Sequence, residues 1–307
     1  MKKKNIEQFS VIKALFISVS FLVLSACGGG GGANDTGESS AAQKVDFSTK
    51  SDAELTSLSG EAYSSGGAVT AFDLSSLTFA SSGSPKAFQL GTQKIIPGFC
   101  SNEAEGGLAD VNNTTTEFSI IFTNCSLGDL LLDGSMLVKE SGIANFTTEA
   151  IFNSFSFHEL SSDIKITFDG RLYYALSDPQ VGQVSSQGGA LTMSIASPEL
   201  TDTIVVSNFE SSYTMDISTG ILSTDYSYNV SSSSLGGEIT IKTITTIKHL
   251  DLLEAYPYTG SFEIRGEGNA SILVTIIDRD SVRVQIDKDG DSIYESDKIV
   301  QWSDFAL

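Results

Sequence analysis

The chain has 307 residues with 40% hydrophobic and 18% charged side chains, and it carries a formal net charge of −20 at pH 7. That acidity argues against nucleic acid and anionic headgroups as direct partners, because both need basic patches. The apolar share argues against a disordered chain and predicts a true core.

At the N-terminus, Lys2, Lys3, Lys4 and Lys13 precede the apolar run from Ala14 to Leu24. That run is too short to span a bilayer, which takes about 20 apolar residues, so it reads as an export signal. It ends in Leu24-Ser25-Ala26-Cys27, which resembles the lipobox of bacterial lipoproteins. The resemblance implies cleavage after Ala26, lipidation of the Cys27 thiol and acylation of the new amino group. Each buried methylene contributes about 0.8 kcal/mol and one acyl chain binds marginally, so several chains on Cys27 make a durable anchor. Gly28, rather than Asp, follows the cysteine; in the lipoproteins it resembles, this points to the outer membrane. The glycine run from Gly28 to Gly32 and the polar residues through Ser40 have nothing to bury and predict a tether.

These segments divide the chain into a signal peptide at 1–26, a tether at 27–50, an entry segment at 51–95 and a β domain at 96–307. In the entry segment, Ser51-Asp52-Ala53-Glu54 has the spacing of a capping box and predicts a short helix through Leu58. With Cys27 given to lipid, Cys100 and Cys125 remain. In an oxidising compartment such a pair predicts a disulfide stapling the first strands, since a metal or redox site wants closer spacing or histidine partners.

From about Phe118 onward the pattern is β. Ile164, Ile166 and Phe168 alternate with Lys165 and Thr167, Phe262 and Ile264 flank Glu263, and Val282, Val284 and Ile286 alternate with Arg283 and Gln285. Such period-2 alternation puts one set of side chains on a core and the other in water. The Thr-rich stretch from Gly237 to Ile247 suits a long strand with Ile239, Ile241, Thr243 and Thr245 in one register. The expected fold class is all-β: a large antiparallel meander forming an open curved sheet, a sandwich or a half-barrel, with a short helical or irregular N-terminal segment. Leu132-Asp133-Gly134, Phe168-Asp169-Gly170 and Tyr258-Thr259-Gly260 form a faint repeat, with Thr219-Gly220 as a further copy. Either true duplication or recurring strand bends and hairpins would produce it.

The sharpest local motif is Asp287-Lys288-Asp289-Gly290-Asp291-Ser292-Ile293-Tyr294-Glu295. The favoured reading is a hairpin in which Asp289-Gly290 supplies the positive φ of a tight turn. A second reading, compatible with the first, has Asp287, Asp289, Asp291 and Glu295 gathering hard oxygen ligands around calcium. An EF-hand loop would want Gly at position six and Glu at position twelve, where this chain has Ser292 and Lys298.

No catalytic residue is selected. His158 and His249 lack ligand-spaced partners in the sequence, and neither a nucleophile elbow nor a phosphate-cradling glycine loop occurs. Tyr173, Tyr174, Tyr226, Tyr228, Tyr256 and Tyr258 could line a ligand face, although cross-strand packing uses tyrosines in the same way. As a whole, the lipobox, tether, cysteine pair and β meander resemble uncharacterised outer-membrane lipoproteins of Gram-negative bacteria, and that resemblance implies no particular activity. The expected function is non-enzymatic: a β domain held to the membrane by covalent lipid and presented to an envelope protein, glycan or lipid. A periplasmic carboxylate-dependent hydrolase and a carrier of an apolar ligand are the alternatives.

Overall fold

A computed structural model describes residues 43–63, 100–113, 117–140, 148–178, 183–198, 201–216, 218–250 and 256–305. The leader, Cys27 and the glycine tether lie outside them. Thirteen strands form one sheet in strict chain order: β1 (Leu108–Asn113), β2 (Glu117–Leu127), β3 (Leu130–Glu140), β4 (Thr148–Glu159), β5 (Ile164–Asp178), β6 (Gln183–Ala196), β7 (Thr201–Asp216), β8 (Ile221–Ser232), β9 (Gly237–His249), β10 (Thr259–Arg265), β11 (Ser271–Ile276), β12 (Ser281–Asp287) and β13 (Ser296–Gln301). Every neighbouring pair is antiparallel, and among the described residues β1 and β13 are the two edges. The all-β meander is therefore an open sheet.

The alternation read from the sequence sorts the two faces. Ile164, Ile166, Phe168, Phe262, Ile264, Val282, Val284 and Ile286 are all buried in one continuous hydrophobic cluster. Charged pairs lie on the other side, as where Arg283 Nε donates to Asp297 Oδ1 across β12 and β13 at 2.8 Å.

Most of the long strands do not run straight. Phe122 pairs with Gly134 and Cys125 with Leu132, so β2 carries an extra residue there. Phe152 pairs with Gly170 and Phe155 with Phe168, the same irregularity between β4 and β5. In both, the bulged strand holds a residue at positive φ, Asn124 at 46° and Ser154 at 47°. The aspartate of the facing Asp-Gly pair accepts the amide of that residue: Asn124 N–H on Asp133 Oδ1 and Ser154 N–H on Asp169 Oδ1, each at 2.6 Å. A carboxylate thus takes, at an exposed position, a donor that the ladder leaves over.

At Asp133-Gly134 and Asp169-Gly170 the repeat seen in the sequence is this bend, not a hairpin. Gly134 is glycine because a Cβ there would stand 2.1 Å from Ser154 O. Gly260 faces a comparable irregularity in β9, where a Cβ would meet Ile247 Cα at 2.7 Å. Gly220 is different: it closes the β7–β8 turn, its amide donating to Asp216 O. The β9 irregularities interrupt the single register expected for that strand at Thr245, which is exposed, while Ile239, Ile241 and Ile247 on the same register are buried. A further bulge occurs at Asn208 in β7. Bulges bend a strand and increase its twist, which lets a sheet this wide coil around its own apolar face.

The short-stranded end, β10 to β13, is closed by the N-terminal segment. Lys44 bridges Glu238 in parallel, and Val45 exchanges backbone bonds with Glu238 and Glu267. A helix at 52–63 follows. Its capping box is formed: Glu54 N–H donates to Ser51 Oγ at 3.3 Å and Ser51 N–H to Glu54 Oε2 at 2.7 Å. The helix runs past Leu58 to Tyr63 because its apolar residues Leu55, Leu58 and Ala62 find the core. Tyr63 stacks on Phe262 with centroids 5.2 Å apart and leans on Trp302 at 5.3 Å. Tyr228 OH donates to Ala62 O at 3.1 Å. Trp302 and Phe305, in a last helical turn (Trp302–Phe305), are fully buried in the same aromatic group.

Candidate functional site

The four carboxylates singled out in the sequence do converge. One oxygen from each of Asp287, Asp289, Asp291 and Glu295 lies within 4.8 Å of the others, in the connection between β12 and β13. The hairpin expectation holds for the pairing of these strands but not for the turn. Strand pairing ends at Ile286 and Ser296, and positive φ is found at Gly290 (77°) and Ser292 (71°), not at Asp289. A two-residue Asp-Gly turn is replaced by a wider loop, because the carboxylates bind loop amides. Asp287 Oδ1 accepts Gly290 N–H at 2.8 Å, and its Oδ2 accepts Ser292 N–H at 3.0 Å. Asp291 Oδ1 takes Ile293 N–H, and Glu295 Oε2 takes Lys288 N–H.

Comparison with the EF-hand pattern is sharper in three dimensions. Position six is Ser292, yet its backbone has the left-handed conformation that glycine usually supplies there. Position twelve departs outright: Lys298 turns away and donates from Nζ to Asp52 O at 3.2 Å. Asp287 is buried, whereas Asp289, Asp291 and Glu295 are exposed. Four carboxylates at this separation, one of them buried at a strand end, suit a hard cation taking oxygen ligands at about 2.3–2.6 Å. The loop is also pinned from outside. Lys288 Nζ lies 2.7 Å from Asp52 Oδ1 at the start of the N-terminal helix. Hydrogen bonds from Lys288 and Ser296 hold the Asp52 carboxyl below its ordinary range. A Cβ on Gly290 would stand 2.4 Å from Gly268 O.

The other residues considered from sequence have structural settings. Cys100 and Cys125 form a disulfide. Beside it, Asn102 spans the irregular part of β2, donating from Nδ2 to Asn124 O and accepting Ser126 N–H, both at 2.8 Å. His158 Nε2 lies 2.8 Å from Asp163 Oδ1 across the β4–β5 connection. Tyr226 and Tyr228 pack on each other, Tyr228 also on Phe209, and Tyr256 lies flat on Trp302 at 5.3 Å. Burial raises the hydroxyls of Tyr63, Tyr226 and Tyr228 well above their ordinary range. The side chain of Tyr174 lies outside the described residues.

One cluster has no local sequence signal. Glu61, in the last turn of the described helix, receives a hydrogen bond from Ser234 Oγ, in the connection between β8 and β9. Ser234 Oγ also lies 3.1 Å from Asp202 Oδ2, at the start of β7. Asp202 Oδ1 accepts from Thr203 N–H at 2.8 Å, Ser233 N–H at 3.1 Å and Ser233 Oγ at 2.6 Å. Burial raises the Glu61 carboxyl, and the Asp202 charge adds to this. Compared with protein-family descriptions, curated proteins and solved structures, the chain matches none of them.

Proposed function

We propose that this chain is a lipid-anchored outer-membrane protein whose β domain works by binding or scaffolding and not by catalysis. The observation that carries the reading is where the N-terminal segment goes. Residues 43–63, which follow the glycine tether, are built into the core through Val45, Phe47, Leu55 and Tyr63. An anchor at Cys27 would therefore hold a sheet fixed to its own attachment segment, with a broad polar face available to an envelope partner. The shifted carboxylates also support a non-catalytic reading, because several serve turns. Asp216 accepts from Ser218 and Thr219, which lower its carboxyl to about 2, and Asp278 accepts from Asp280 and Ser281. Calcium in the loop of Asp287, Asp289, Asp291 and Glu295 would then act structurally, locking the β12–β13 connection against the helix start.

Metabolic labelling with palmitate, followed by membrane fractionation, tests the anchor. The wild-type chain takes up label and sediments with outer membranes, whereas Cys27→Ser loses the label and becomes soluble. Equal labelling of both chains would remove the anchor. Lipid co-purifying stoichiometrically with Cys27→Ser would favour an apolar carrier over a scaffold.

A further inference from the structure

We propose that a proton held by Glu61 completes a hydrogen-bond chain from Glu61 through Ser234 to Asp202, making a proton-operated clasp between the N-terminal helix and the connection from β8 to β9. A serine hydroxyl has one hydrogen and can donate it once. Ser234 Oγ contacts an oxygen of Glu61 and, at 3.1 Å, an oxygen of Asp202. If both carboxylates are ionised, one of these contacts opposes two lone pairs. A proton on Glu61 removes the conflict: Glu61 donates to Ser234, and Ser234 donates to Asp202.

Its neighbours say which carboxyl takes the proton. Asp202 is buried and gathers two backbone amides and the Ser233 hydroxyl on Oδ1, a donor set suited to an acceptor-only group. Glu61 faces Asp202 across Ser234, and the nearby cation is Lys50, just before the helix, which opposes protonation. Desolvation comes first among its influences and outweighs both the Ser234 hydrogen bond and Lys50, which lower it, so the Glu61 carboxyl is raised from its ordinary range. Ser232 Oγ lies 2.8 Å from Ser234 Oγ and completes the polar group on the sheet side. Ser233 and Ser234 are exposed, so the clasp exchanges protons freely with solvent.

The sign follows from linkage. A carboxyl whose pKa is raised by folding contributes stability that is full below its unfolded value and is lost as pH rises through the folded value. The clasp is therefore closed in acid and opens toward neutral pH. Opening acts on the helix that carries Tyr63 into the aromatic group around Trp302. The clasp is independent of the lipid anchor, and its failure would leave the anchoring proposal untouched.

Trp302 is the only tryptophan in the chain, so its fluorescence reports the packing of Tyr63. The full chain in detergent is titrated through the acid range, with hydrogen exchange of 52–63 followed in parallel. Wild type is expected to show a transition with a midpoint above 4.5, the ordinary Glu61 value. Glu61→Gln should abolish that transition and keep the acid signal throughout. Asp202→Asn removes the like charge and should lower the midpoint by on the order of one pH unit. Should either variant fail to fold, infrared pH-difference spectra of wild type decide the matter. A protonated-carboxyl stretch titrating together with Trp302 supports the clasp, and its absence overturns it. A transition in Glu61→Gln at the wild-type midpoint also overturns it.

Discussion

Replacing Gly134 by alanine puts a methyl group where β3 meets the β4 bulge. The added Cβ would lie 2.1 Å from Ser154 O, 2.5 Å from Ser154 C and 2.8 Å from Phe155 Cα, all backbone or backbone-bound atoms of the neighbouring strand. None of these is a flexible side chain that can swing aside. Relief requires Ser154 to leave its bulge and give up the amide bond to Asp169 Oδ1 at 2.6 Å. The alanine must also hold φ near 88°, which costs about 1–2 kcal/mol for a residue with a Cβ. Overpacking adds about 1–3 kcal/mol, so Gly134→Ala is expected to cost about 2–5 kcal/mol. Gly236→Ala is the matched control: its φ is 73°, and a Cβ there meets nothing within 4 Å. It should lose only the backbone share, about 1–2 kcal/mol. Urea unfolding followed by circular dichroism gives both values under one condition. If Gly134→Ala unfolds at the same urea concentration as Gly236→Ala, the bulge is not the rigid element described here.

Cys100→Ser with Cys125→Ser opens a loop whose ends are 25 residues apart and should lower unfolding free energy by about 3 kcal/mol, read by chemical denaturation. The purified chain should melt at a higher temperature in excess calcium than in chelator, and Asp287→Asn should erase the difference; equal melting temperatures in wild type would remove calcium from the loop. Asp216, lowered to about 2 from its ordinary 3.8, contributes stability that is present above 3.8 and lost as pH falls toward 2. Asp216→Asn should accordingly be less stable than wild type at neutral pH and equal to it below pH 2, as measured by thermal melts across that range.

Much of the sheet could be read from the chain because strand alternation is a local property. Ile164, Ile166 and Phe168 face inward as their spacing requires. The capping box at Ser51 and Glu54 was equally local. The bends were not readable, since Asp-Gly is the same dipeptide in a hairpin as in a strand that receives a neighbour's bulge. Only the pairing of Phe122 with Gly134, and of Phe152 with Gly170, distinguishes the two. At Asp289-Gly290 the local rule predicted a tight turn, and it lost to Asp287, whose two oxygens hold amides three and five residues on. The Glu61 clasp was out of reach because Ser234 is 173 residues away, and only the folded sheet brings them together.

The helix at 52–63 is among the first described parts of the chain to be synthesised, and its aromatic partners Phe262, Trp302 and Phe305 are among the last. Strands joined in sequence can pair as they emerge, each finding the one before it. The helix has no such neighbour in sequence and lacks these partners until the segment carrying Trp302 and Phe305 has been made. Loss of Trp302 and Phe305 by premature termination would leave the sheet largely paired but its opening segment undocked. Docking of the helix thus reports that the segment carrying Trp302 and Phe305 has been made, and a protease that recognises an undocked helix would remove copies lacking it.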